Sequence, residues 1–116
     1  MVEDEETVRD PARIALESNG YRVLVASGGR EAIELSACYE GIIHLMVTDV
    51  VMPDISGREL ATRLAPTRPD MKVLYMSGYT DNAIVHHGVL DSGLAFLQKP
   101  FAPADLARKV REVLER

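Results

Sequence analysis

Glu3, Asp4, Asp49, Ser77 and Lys99 share one property: each stands where an apolar run stops. In LMVTDVVMPDISG, residues 45–57, the run halts at Asp49, resumes through Val50, Val51 and Met52, and breaks at Pro53. A buried strand has no use for a carboxylate, so the pattern makes sense if a strand delivers Asp49 to the rim of a sheet. Three carboxylates gathered at such a rim repel one another unless a cation lies among them. Oxygen-only ligands with room for water suit Mg²⁺, which keeps part of its hydration shell and often binds beside a phosphate. A carboxylate can itself be a nucleophile, forming an aspartyl phosphate. Phosphoryl transfer needs mainly positioning and positive charge around the equatorial oxygens. Lys99 and Mg²⁺ would supply that charge and the Ser77 hydroxyl a hydrogen bond. Asp49 is the best nucleophile, because Pro53 and Gly57 shape the turn after it. Lys99-Pro100 adds a peptide bond with access to the cis form, which would turn the chain sharply and aim Lys99 inward.

The elements that must position these residues are legible as alternating patterns. Residues 21–26, 41–48, 71–77 and 94–98 read as short strands, nearly continuous in apolar residues, as expected of parallel strands covered on both faces. Residues 6–18, 29–39, 57–65, 81–91 and 103–115 carry helical patterning. In the last, Leu106, Val110, Val113 and Leu114 share a face, Pro103 suits a first turn, and Asp105 precedes Arg108, Lys109 and Arg111 as the helix dipole prefers. Glycine-containing pairs such as Asn19-Gly20 and Ser56-Gly57 punctuate the elements. The alternation predicts an α/β sheet with helices on both faces, its ligands beyond the carboxyl ends of the strands.

With 116 residues, 47% apolar and 27% charged, the chain reads as one globular domain spanning 1–116. A net charge of −5 without a basic patch argues against direct nucleic-acid binding. No apolar run approaches the ~20 residues of a membrane span, so no membrane insertion is expected. The single Cys38 fits a reducing cytosol and is expected to pack as a small buried hydrophobe.

VEDEE (2–6), VTDVVMPDISG (47–57), MSGYT (76–80) and LQKPF (97–101), in this order and spacing, resemble the receiver domain of two-component response regulators across essentially the whole chain. The likeness is greatest to receivers attached to hybrid sensor histidine kinases. It implies a flavodoxin-like, doubly wound parallel sheet of five strands in the order 2-1-3-4-5. It also implies a role for each residue. Asp49 would be the phosphoacceptor, served by a histidine kinase or a histidine phosphotransfer domain. Glu3 and Asp4 would form the acidic pair for Mg²⁺, with Asp49 and the Val51 backbone carbonyl as further ligands. Ser77 would bond the phosphoryl oxygen, Lys99 would pair with Asp49 or its phosphate, and Phe96 would be the aromatic switch coupled to Ser77. Phosphorylation would change a face built from the fourth helix, fifth strand and fifth helix, a candidate homodimer surface. Such a domain catalyses at most its own phosphorylation and dephosphorylation, in the cytoplasm or the cytoplasmic part of a membrane-bound sensor kinase.

Plainer readings exist beside these. The run Glu3–Glu6 could be a solvated helix start, and Phe96 could be simple core. His86-His87 cannot share a helix face, and Gly28-Gly29 lacks dinucleotide-binding spacing. An aspartate-nucleophile phosphatase would need a second carboxylate two residues after Asp49, where Val51 stands. A degenerate receiver serving only as an interaction module is the remaining alternative. Its motive is the start of the chain, where Met1 and Val2 replace a first strand of about five apolar residues. The expectation is unpaired backbone on the neighbouring strands and a frayed end carrying Glu3 and Asp4, unless a clipped segment, another element or a neighbouring chain completes the sheet. Pro11 deep in a helix should cost about 3 kcal/mol, less near the first turn. Ala102 is a poor N-cap.

Overall fold

A computed structural model describes residues 1–78 and 95–116. Strands β1 (Leu45–Asp49), β2 (Lys72–Ser77) and β3 (Ala95–Gln98) form a parallel sheet in that order. Asp49 pairs with Met76 and Ser77 with Gln98, so the carboxyl ends share one rim. Helices α1 (Glu6–Ser18) and α4 (Pro103–Leu114) cover one face, where Leu16, Leu106, Val110 and Val113 pack on Val47, Leu74 and Met76. Helices α2 (Gly29–Cys38) and α3 (Gly57–Leu64) cover the other, with Ala32, Leu60 and Leu64 against Met46. Burial on both faces is why the strands carry no polar alternation. The expected helix over 81–91 and the pair His86-His87 lie outside the described residues.

Helix ends follow local chemistry. Ser56 caps α3, its Oγ accepting from the Glu59 amide at 3.1 Å. Ala102 offers α4 no side-chain cap, but Pro103 opens the helix and Asp105 Oδ2 accepts from the Ala102 amide at 3.2 Å. At its other end Lys72 Nζ donates to the Val113 and Leu114 carbonyls at 3.2 and 3.3 Å, a cation where the helix dipole favours one. Pro11 sits inside α1, exposed, and the helix continues through it.

The beginning of the sheet departs from expectation. Residues 21–26 form no strand; Ala26 alone makes a parallel bridge, to Val2, and Val2 bridges Thr48 in turn. The segments therefore lie in the expected 2-1-3-4-5 order, with the first two members reduced to single bridges. The amides of residues 22–25 find no backbone acceptor among the described residues, so no ladder extends beyond the bridge at Ala26. A cavity of about 470 Å³ lies behind Met1, lined by Tyr21, Val23, Leu24, Ile43, Leu45 and Val47 among others. Strand β1 likewise starts at Leu45 rather than 41.

The frayed end is not observed. The Val2 amide donates to Val47 O (2.7 Å), the Asp49 amide to Val2 O (3.3 Å), the Glu3 amide to Ala26 O (3.0 Å) and the Ala26 amide to Met1 O (2.9 Å). Bonds on both sides seat Val2 and Glu3 in the interior, both buried. Cys38 also corrects its expectation: it is exposed, because α2 turns Gly29, Ala32 and Ser36 inward and leaves Cys38 off that face.

Candidate functional site

The rim of the sheet gathers the acidic residues around one lysine. Strand β1 ends at Asp49, which is buried together with Glu3 and Ser77. Lys99 follows β3, its amide bonded to Ser77 O at 2.8 Å, and the Lys99-Pro100 bond is cis. The Lys99 ammonium reaches Asp49 Oδ1 at 2.6 Å and Glu3 Oε1 at 2.5 Å. Glu3 Oε2 accepts from the Glu5 amide at 3.2 Å. Glu3, Asp4 and Asp49 each offer a carboxylate oxygen within 4.8 Å of the others. Asp49 Oδ2 is buried with no hydrogen-bond partner.

That arrangement decides the electrostatics. Burial, with the neighbouring Glu3 carboxyl, pushes Asp49 up to about 8, and Lys99 opposes the rise only in part. Burial alone would raise Glu3 too, but the neighbouring Asp49 carboxyl, the Lys99 ammonium and the Glu5 amide outweigh that and hold it low. Burial and the Glu3 carboxylate raise Asp4. Lys99 is raised: burial works against its charge, and the bonds to Asp49 and Glu3 overcome it. One ammonium between two buried carboxylates leaves an uncompensated acceptor, Asp49 Oδ2, beside the exposed Asp4. A hard divalent cation fits such an oxygen set.

The loop from β1 to α3 closes tightly around this point. Gly57 donates its amide to Val50 O at 2.9 Å, and a Cβ on Gly57 would lie 2.1 Å from Asp49 O, so only glycine allows this approach. Val51 lies between the buried Val50 and Met52 and is itself 53% exposed. Phe96, the neighbour of Tyr75 in the ladder, stacks on it with ring centroids 5.4 Å apart.

Known proteins share this chain's pattern. A model of the response regulator receiver domain matches residues 1–111. The chain belongs to the response regulator receiver family. This receiver is 40% identical over its full length to the sensor kinase CckA of Brucella abortus, of which it spans 12%. It is 35% identical to the response regulator MprA of Mycolicibacterium vanbaalenii, of which it spans 49%. Among solved structures, the receiver domain from the hybrid histidine kinase CckA is similar at 33% identity and a TM-score of 0.79, with 97% of this chain and 94% of that one covered. A CheY-like receiver domain protein from Methanospirillum hungatei superposes with a TM-score of 0.82 at 28% identity, covering 98% and 90%. The receiver thus has the flavodoxin-like fold and its class of role, signal transduction by phosphorelay.

The structure brings together Glu3, Asp4, Asp49 and Lys99, and places Ser77 on the same rim. Sequence reasoning missed one residue of the receiver's rim, Asp54. Its carboxylate accepts from the Ile55 amide (2.8 Å) and, across the fold, from the amides of Gly29 (3.2 Å) and Arg30 (2.9 Å). The signal was there: Gly28-Gly29 opens α2 without a capping side chain, so its first amides needed an acceptor from elsewhere.

Proposed function

We propose that this receiver accepts a phosphoryl group on Asp49 from a phosphohistidine of a histidine kinase or phosphotransfer domain, with Mg²⁺ held by Glu3, Asp4, Asp49 and the Val51 backbone carbonyl. The observation that carries the reading is the unpartnered, buried Asp49 Oδ2 facing a cluster of carboxylates while Oδ1 is pinned by Lys99. In the transfer an Asp49 oxygen forms the new bond to phosphorus as the donor's N–P bond breaks and the imidazole leaves with its electron pair, to be protonated. Lys99 holds the nucleophile in place beforehand and faces the added negative charge afterwards. Mg²⁺ would supply the remaining positive charge around the phosphoryl oxygens. Ser77, buried at the end of β2, would donate its hydroxyl to one of them.

The added charge, about −1.5 to −2, is what converts chemistry into a signal. It would draw Ser77 and Lys99 toward the phosphate and let Phe96 leave its stack on Tyr75 for the space vacated, a shift between two populations. A face formed with the segment 81–91 would read the change; that segment lies outside the described residues.

Incubation with Mg²⁺ and a small acyl phosphate tests the reading by intact mass. The expected result is one added phosphate, absent without Mg²⁺ and absent in Asp49→Asn. No gain of mass in the folded wild type would instead mark a receiver that serves only as an interaction module.

A further inference from the structure

We propose that Asp54 is a positioning residue for the Asp49 site, anchoring the loop that follows β1 to the amino end of α2. The inference rests on the function proposed above and adds a component to it. Residues 50–56 must present the Val51 carbonyl at a constant place, yet Val51 itself is exposed and packs on little. The loop is fixed at its start by the Val50 amide on Met76 O (3.0 Å) and at its end by the Gly57 amide on Val50 O (2.9 Å). Between these points Met52 and Ile55 sink into the α2–α3 layer, but apolar contacts are non-directional and leave sliding free.

Asp54 supplies the directional contact. Its Oδ1 accepts from the Gly29 and Ile55 amides and its Oδ2 from Arg30, so one carboxylate ties the loop to itself and to a helix 24 and 25 residues away. The partners are first-turn amides that have no acceptor within the helix, and the negative charge suits the positive end of its dipole. Those bonds hold the acid down to about 2, so it stays ionised across the working range. The surfaces are cut to fit: a Cβ on Gly29 would lie 2.2 Å from Ile55 Cγ1, and one on Gly28 would crowd Asp54 Oδ2 at 3.2 Å. The glycine pair thus lets the loop dock close enough for the bonds to form.

The test compares wild type, Asp54→Ala, Asp54→Asn and Arg68→Ala by calorimetric titration with Mg²⁺ and by phosphorylation rate against Mg²⁺ concentration with an acyl phosphate. Arg68 is the control: it braces the other end of α2, donating to Ser36 O, Tyr39 O and Gly41 O, and its side-chain hydrogen bonds go to none of the described loop residues. Asp54→Ala should weaken Mg²⁺ binding about 10-fold, as loss of a ligand-orienting partner does, with the rate recovering at saturating Mg²⁺. Asp54→Asn keeps the Oδ1 acceptor and should fall between, while Arg68→Ala should lose stability and keep its affinity. Unchanged affinity in both Asp54 variants, or an equal loss in Arg68→Ala, overturns the proposal. Should Asp54→Ala fail to fold, Asp54→Asn carries the comparison. A wild type that binds no Mg²⁺ would overturn the proposed function and this inference together; a wild type that binds it, with Asp54 variants that bind equally well, would overturn this inference alone.

Discussion

At the scale of single residues, the energetics turn on Lys99. It is the one described cation between Glu3 and Asp49, both buried, and removing one partner of a buried ion pair leaves the other charge uncompensated. Lys99→Ala should therefore destabilise the fold by about 3 kcal/mol at neutral pH. Urea unfolding measures this, and added Mg²⁺ should restore part of the loss by taking over the charge. A loss that Mg²⁺ leaves untouched would speak against a cation site. Asp54 predicts the pH dependence. Its folded value of about 2 lies below the ordinary 3.8, so the stability it contributes is present above 3.8 and vanishes as pH falls through 2. The stability difference between wild type and Asp54→Asn should shrink between pH 4 and pH 2. A difference constant over that range would show that the charge is not what matters.

Among the elements, α1 carries an avoidable cost. Pro11 lies at the sixth helical position, beyond the first turn, where its missing N–H leaves the Thr7 carbonyl without its helical donor. Since Pro11 is exposed, Pro11→Ala sacrifices no packing and should raise stability by about 1–3 kcal/mol, less whatever the proline gains by stiffening the unfolded chain. Thermal melts decide it; a lower melting temperature would mean that the proline is accommodated without strain. Helix α2 shows the opposite economy. Distant residues reinforce both of its ends: Asp54 accepts from the first-turn amides of Gly29 and Arg30, and Arg68 donates to the carbonyls of Ser36 and Tyr39.

Across the whole molecule, order runs from a complete ladder to an incomplete one. Strand β2 is paired on both sides and Leu74 and Met76 are fully buried, whereas residues 22–24 line a cavity and the amides of 22–25 make no backbone bond among the described residues. Amide hydrogen exchange should accordingly find 73–76 opening only with global unfolding and 22–25 exchanging through local fluctuations of much lower free energy. Equal protection in the two segments would mean that the slot beside Met1 closes in solution. The few bonds of Val2 and Glu3 matter out of proportion here. They hold the two halves of the sheet together and carry the acidic pair to the rim.

The sequence by itself determined the alternation of strands and helices, the strand-end placement of Asp49, Ser77 and Lys99, and the receiver pattern. These rest on local signals: apolar runs, the breaks after them, and motifs a few residues long. Helix α1 spans its expected residues, β2 begins one residue later than expected, and β3 covers all the described residues of its expected range, because side-chain periodicity dictates them locally. Only the tertiary structure decided three things. Residues 21–26, strongly apolar, are not a strand, because a ladder needs a neighbour and propensity supplies none. Two residues suffice to seat the acidic pair, because backbone on both sides bonds to them. And Asp54 is bound to α2, because a helix end can take its cap from any residue the fold brings near, and nearness in space is not written in spacing along the chain.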